Sequence, residues 1–340
     1  MSAKLLVSVL RDPAGAAALS AGQWTTLIAA ARAERLIGAL AHRLAGMAVP
    51  PRVALILVDA RFDAETERRG ALWEADRAKA ALAGPDVPVV LLKGTAYVAA
   101  GLSAGVGRSI GDLDILVPRA RLDAVEAVIL AAGWEWVKPD PYDDAYYRRW
   151  MHELSPLIHR DRDRMIDVHH TILPLTARRR PNAAAMLADV VILEDGLAIL
   201  CPEDMVCHCA AHMLADGALE GGLRNLWDMH CLLGEFGERP GWWEALAARA
   251  RRHQLGETVA RAARLAHHLY GTDVPADQRG LTLTDRLFVA RLLSRDGWGQ
   301  ERRWLLEQVF YVRSHLLRMP PAMLARHLWT KWRKGYRPVG

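Results

Sequence analysis

Two aspartates stand two residues apart in Asp112-Leu-Asp-Ile-Leu-Val117. If this β-branched, apolar run is a strand, its side chains alternate, so both carboxylates project from one face while Leu113, Ile115 and Val117 turn to the core. Two carboxylates about 4 Å apart repel by about 4 kcal/mol at an effective dielectric near 20. A divalent cation relieves that repulsion, and hard oxygen ligands suit Mg2+ or Mn2+. The competing reading is a solvated pair at a strand edge. Met165-Ile-Asp-Val-His-His170 repeats the pattern, with Asp167 and His169 on one strand face and Ile166 and Val168 on the other. Two carboxylates on one strand and a third on its neighbour meet the needs of metal-assisted phosphoryl chemistry. The third carboxylate can then take a proton from an attacking hydroxyl.

Cations precede the aspartates. Lys93-Gly94 closes the most apolar run of the chain, and lysine is scarce, with six against 38 arginines. A helix opening after that glycine would offer free N–H groups to a phosphate. The alternative for Lys93 is a snorkelling side chain with a structural carboxylate partner. Arg108, four residues before Asp112, could grip phosphate through two N–H groups or be an ordinary loop arginine.

These residues need a scaffold. Residues 20–83 read as helices broken at Pro50-Pro51, with Leu55, Val58, Phe62 and Leu72 facing the core. Strands are predicted at Val87–Leu92, Asp112–Val117 and Trp134–Val137. A hairpin follows from Leu154–His159 and Met165–His170 around the polar turn 160–164. Helices are predicted at Thr95–Leu102 and Pro118–Ala132, with an acidic, Tyr-rich loop after Val137. From Pro181 onward the chain reads as mostly helical, roughly 203–215, 222–235, 241–254, 256–270, 283–294, 300–317 and 320–333. The expected organisation is an α+β protein with a helical N-terminal arm (1–83), a small mixed α/β core (84–198) and a helical C-terminal domain (199–340).

Composition sets outer limits. With 51% hydrophobic and 24% charged residues over 340 positions, the chain is globular rather than disordered or fibrous. It has no apolar run long enough to span a bilayer. Its first fifteen residues are too weakly patterned for an export signal, and four cysteines fit a reduced, cytoplasmic protein. Cys201, Cys207, His208, Cys209, His212, His230 and Cys231 crowd one stretch. His208 and His212 have a spacing that zinc sites use, but no C-x-x-C accompanies them, and helix packing is the simpler reading. Arg224 and Asp228, four apart on a predicted helix, are expected to pair or to brace the site. The net charge of +5 resides after Glu307, where seven Lys/Arg meet no acid; the remainder carries −2. That tail, with Trp329, Trp332 and Tyr336, is either a solvated helix end or a docking segment for an anionic partner.

Taken in order, Leu92-Lys-Gly94, Arg108-Ser-Ile-Gly-Asp-Leu-Asp114-Ile-Leu-Val117, Ile166-Asp-Val-His-His170, Leu200-Cys-Pro-Glu-Asp204 before His208-x-x-x-His212, and Leu223-Arg-Asn-Leu-Trp-Asp228 resemble the uncharacterised nucleotidyltransferase family. That family belongs to the DNA polymerase β-like nucleotidyltransferase superfamily. The resemblance implies a polymerase β-like core in which Asp112, Asp114 and Asp167 are catalytic and hold Mg2+ or Mn2+. Lys93, Gly94, Thr95, Arg108 and Ser109 would bind the NTP, and His169, His212, Arg224 and Asp228 would surround the site. The implied reaction moves a nucleoside monophosphate to a hydroxyl, with a peptide natural product or a sugar as acceptor. Alternatives are toxin-like transfer to tRNA, phosphoryl or glycosyl transfer from a nucleotide donor, and a non-catalytic nucleotide-binding maturation scaffold. Lys93-Gly94-Thr95 departs from the superfamily's usual glycine-serine pair.

Overall fold

In the computed structural model, which describes residues 2–84, 87–215, 219, 221–318 and a few positions of the tail, the aspartate strand lies mid-sheet. Seven strands order as β3-β4-β5-β2-β1-β7-β6: β1 Val90–Leu91, β2 Asp112–Leu116, β3 Trp134–Trp136, β4 Leu157–His159, β5 Met165–His169, β6 Val191–Ile192 and β7 Ala198–Ile199. β2 runs parallel to β5 and antiparallel to β1. The alternation is as expected: Leu113, Ile115, Ile166 and Val168 are buried on one face and anchor the two strands. β4 and β5 form the expected hairpin. The polar turn between them is pinned from outside, because Arg162 donates two N–H groups to the buried Glu74 carboxylate (2.8 and 2.9 Å) and stacks on Trp134.

Fourteen helices surround the sheet among the described residues. The N-terminal four are α1 Ser2–Arg11, α2 Ala21–Ala33, α3 Ile37–Arg43 and α4 Pro51–Leu82. Within the sheet region lie α5 Lys93–Ala99, α6 Leu122–Ala131, α7 Pro141–Trp150 and α8 Ala183–Ala188. The C-terminal six are α9 Pro202–Ala215, α10 Gly222–Phe236, α11 Trp242–Arg252, α12 Gly256–Tyr270, α13 Leu283–Leu292 and α14 Trp304–Arg318. Ser20 caps α2 in a reciprocal capping box with Gln23, as its position suggested. No helix among the described residues is long and apolar enough to cross a membrane. One continuous buried cluster runs from Ala3 to Phe310 and joins the helices to the sheet.

Several expectations need correction. The Val87–Leu92 run pairs only at Val90 and Leu91, because the chain turns into α5 directly after Leu92. The Tyr-rich loop contains helix α7, and the N-terminus, for which no element was expected, forms helix α1 packed on α2 and α12. The buried face of α4 is not the one predicted. Leu55, Val58 and Phe62 are exposed, whereas Val53, Leu57, Ala60, Ala64, Ala71, Ala75 and Ala78 are buried. Small residues at alternating three- and four-residue spacing let α4 lie close against α3 and α5, and this close packing outweighs the pull of the larger side chains. The predicted 320–333 helix and most of the basic tail lie outside the described residues.

Candidate active site

The parallel register sets Asp114 directly beside Asp167, with Asp112 beside Met165 and Leu116 beside His169. Since neighbours in a parallel pair point the same way, Asp112, Asp114, Asp167 and His169 share one face. Asp112 stands at its exposed end and Asp114 is buried. One ligand atom each from Asp114, Asp167 and His169 lies within 4.8 Å of the others.

Asp114 is the hub. Lys93 Nζ donates to its Oδ1 at 2.7 Å, and His169 Nε2 donates to the same oxygen at 2.9 Å. Burial alone would raise the Asp114 pKa, but the Lys93 ammonium and the His169 hydrogen bond hold it well below the usual carboxylate range. Lys93 is likewise opposed by burial and held protonated by Asp114, with Asp112 and Asp167 adding to the effect. The geometry explains how a lysine ends the most apolar run of the chain. Lys93 opens α5 with φ of +49°, a left-handed turn that swings its side chain back over the sheet. The Leu92 N–H meanwhile bonds the Asp114 carbonyl at 2.9 Å.

Asp167 has the opposite electrostatics. Burial, followed by the Asp114 and Glu153 carboxylates, pushes its pKa up to about 7. Its Oδ1 is buried and has no hydrogen-bond donor among the described residues. A buried, unpaired carboxylate oxygen beside a second carboxylate is what a divalent cation would satisfy, so the donor set fits a hard metal ion. Where metal is absent a proton takes that role, so cation binding must expel it. The thermal shift that Mg2+ produces is therefore expected to be larger at pH 8 than at pH 6; an equal shift would separate Asp167 from metal binding.

Two residues of this cluster escaped the sequence reading. His152 and Glu153 precede β4, and a bridge between Glu153 and His169 carries them to the site. Glu153 Oε2 lies 3.4 Å from His169 Nδ1 and 3.5 Å from His152 Nε2, and the two imidazoles are 5.2 Å apart. Glu153 and Asp114 thus flank the two nitrogens of His169 and raise its pKa against the lowering effect of burial. Nothing in the local spacing of His152-Glu153 reveals this.

Of the two cations before Asp112, Lys93 lies on the aspartate face and Arg108 turns to another carboxylate. Arg108 is buried and donates to both carboxylate oxygens of Asp228 on α10 (3.2 and 3.0 Å from Nε), with its guanidinium 5.5 Å from the Tyr97 ring. Asp228 therefore pairs with Arg108 and not with Arg224 one helical turn away. Gly94 makes room for that bridge, because a Cβ there would stand 1.8 Å from Arg108 Nη1. Gly94→Ala is expected to break the buried pair and cost about 3 kcal/mol, read as a lowered midpoint in urea unfolding; an unchanged midpoint would show that Arg108 can leave Asp228 freely. Thr95 is buried, and its hydroxyl has no partner among the described residues. The loop before β2 is held at its backbone: Glu67 accepts from Ile110 N–H at 2.8 Å, and the Ser109 carbonyl accepts from Arg224 at 3.3 Å. Gly107, at φ of +67°, lets this loop touch α3 at Gly38.

His208 is buried and lies 6.5 Å from the half-buried His212, ring to ring. All four cysteines are free. Burial pushes the Cys201 and Cys231 thiols up to about 12 and those of Cys207 and Cys209 further. Among the described residues neither group of clustered metal-type ligand atoms includes a cysteine.

No curated protein matches the chain closely enough to count as a relative. A family model described as uncharacterised nucleotidyltransferase matches residues 20–271. That span includes Lys93, the β2 aspartates, Asp167, Glu153 and the Arg108–Asp228 bridge. The chain is thus a member of the uncharacterised nucleotidyltransferase family and, as such, a transferase of nucleotidyl groups.

Proposed function

We propose that the chain transfers a nucleoside monophosphate from an NTP to a hydroxyl acceptor, at the face shared by Asp112, Asp114 and Asp167. The observation that carries this reading is the Asp114–Asp167 pair, one carboxylate held ionised and its neighbour left with an unpaired, buried oxygen. Asp114 and Asp167 would hold a divalent metal, with Asp112 at the open end of the same face. When bound, the metal supplies charge neutralisation to the triphosphate and to the attacking oxygen. Lys93, about one-fifth exposed while bonded to Asp114, adds fixed positive charge where phosphate oxygens would approach. His169 fixes the Asp114 carboxylate by its Nε2 hydrogen bond. Asp167, the less deeply buried carboxylate of the pair, would accept the acceptor's hydroxyl proton. That oxygen attacks the α-phosphorus, the bond to the β-phosphate oxygen breaks, and pyrophosphate leaves.

This arrangement, two carboxylates on one strand and a third on its parallel neighbour, supports assignment of the sheet to the polymerase β-like class. Arg108, Gly94 and Thr95 act in this account behind the phosphate site rather than on it, since their side chains or the space beside them are buried. The acceptor is sought by mass spectrometry after incubating peptide, sugar and RNA pools with Mg2+ and all four NTPs. A mass gain of one nucleoside monophosphate is expected on one class; a gain of phosphate or sugar would overturn the proposal.

A further inference from the structure

A second cleft, of about 500 Å3, opens between the turn after α2, the start of α10, α13 and the segment before α14. Its lining includes Arg35, Arg224, Arg291 and Arg295 against Glu301 and Glu307. Arg291 and Arg295 are answered by carboxylates. Arg291 Nη1 donates to Glu301 at 2.6 Å and to Ser294 Oγ at 3.0 Å, while Arg295 pairs with Glu34 and lies 3.6 Å from Glu301. The other two arginines are not. The Arg35 side chain, exposed at the end of α2, makes no hydrogen bond or ion pair among the described residues. Arg224 bonds only neutral oxygens, the Ser109 carbonyl at 3.3 Å and Asn225 Oδ1 at 3.4 Å. Burial and the neighbouring Arg108 and Arg35 lower its pKa, and the Asp228 and Asp112 carboxylates only partly oppose them.

The buried guanidinium is the decisive feature. Arg291 is 2% exposed, yet its Nε and Nη2 have no acceptor among the described residues, and the Nε of Arg224 is likewise buried and unpaired. Buried N–H donors are nearly always satisfied, and a charged donor without a partner is costly. Neutral carbonyl oxygens would satisfy the donors but leave the charge of Arg35 and Arg224. An oxyanion does both, and guanidinium forks match its geometry.

We propose that this cleft is an oxyanion-binding subsite that takes the phosphate or carboxylate group of a small molecule. Its volume suits a ligand of sugar-phosphate or nucleotide size. Arg35 and Arg224 lie within the residues matched by the family model, and Arg291 and Arg295 lie beyond them, so the cleft joins the matched region to the C-terminal helices. Arg224 connects it to the aspartates, because the Ser109 carbonyl it holds precedes Asp112 by three residues. The proposal does not rest on the metal-site reading.

The test is calorimetric titration of the full chain in EDTA, which removes metal-dependent nucleotide binding, with inorganic phosphate and with ATP as separate probes. Binding with a Kd of about 1 mM or tighter is expected, weakened about tenfold or more in Arg35→Asn and in Arg224→Gln. Asparagine tolerates the left-handed backbone at position 35 (φ +53°), so that variant is expected to keep the fold, and an unchanged melting curve is the check. Saturation by phosphate alone identifies a free-anion site; binding of ATP only identifies the nucleotide's own phosphates as the occupant. Absence of binding by both probes, or equal affinity in the wild type and both variants, overturns the proposal.

Discussion

Replacing Asp114 with asparagine is expected to abolish nucleotidyl transfer and to destabilise the fold by about 3 kcal/mol at once. The first effect follows from losing a ligand and a fixed negative charge on the shared face, and should be on the order of a thousandfold or more. The second follows from Lys93. Its ammonium is mostly buried and donates to Asp114 at 2.7 Å, so a neutral amide leaves the charge without its main counter-charge. Sequence reasoning, which sees only an aspartate on a strand, would expect asparagine to be tolerated by the fold. The double variant Lys93→Met/Asp114→Asn separates the two effects. It should recover most of the lost stability in urea unfolding and none of the activity. Failure of the double variant to recover stability would show that His169, and not Lys93, carries the structural cost.

Asp167→Asn should act in the other direction on stability. The Asp167 carboxyl is pushed up to about 7 from an ordinary value of 3.8. An acid whose folded pKa lies above its unfolded value contributes fully to stability below the unfolded value, and the contribution is lost as pH rises through the folded value. In EDTA the wild type should therefore lose stability relative to Asp167→Asn between about pH 4 and pH 8, with the variant about 4 kcal/mol more stable at pH 8. Saturating Mg2+ should close that gap, because a cation replaces the proton on the wild type and has no carboxylate to bind in the variant. Transfer should be lost in the variant at every pH. Melting curves at pH 5 and pH 8, with and without Mg2+, measure all of this; a variant less stable than the wild type at pH 8 in EDTA would contradict the electrostatics described for Asp167.

These opposite signs come from tertiary neighbours, which marks where the sequence was readable and where it was not. The face shared by Asp112, Asp114, Asp167 and His169 was legible, because strand alternation is local and both runs carry a clear apolar counter-face. Most C-terminal helices were legible for the same reason, within a few residues at their ends. The partners were not. Arg108 and Asp228 are 120 positions apart, and no periodicity announces their bridge. Glu153 reaches His169 through an isolated backbone bridge. The α4 helix misled because its alanines pack the interior while Leu55, Val58 and Phe62 face outward, a choice made by close helix approach and not by side-chain size.

Nucleotidyl transfer requires that the bond between the α-phosphorus and the β-phosphate oxygen is the one cut. Wild type and Asp167→Asn should be incubated with Mg2+, an acceptor pool and NTP labelled at either the α- or the γ-phosphate. Retention of the α-label on an acceptor with release of the γ-label as pyrophosphate, both absent in Asp167→Asn, is the expected result. Appearance of the γ-label on the acceptor, or undiminished transfer by the variant, would contradict it.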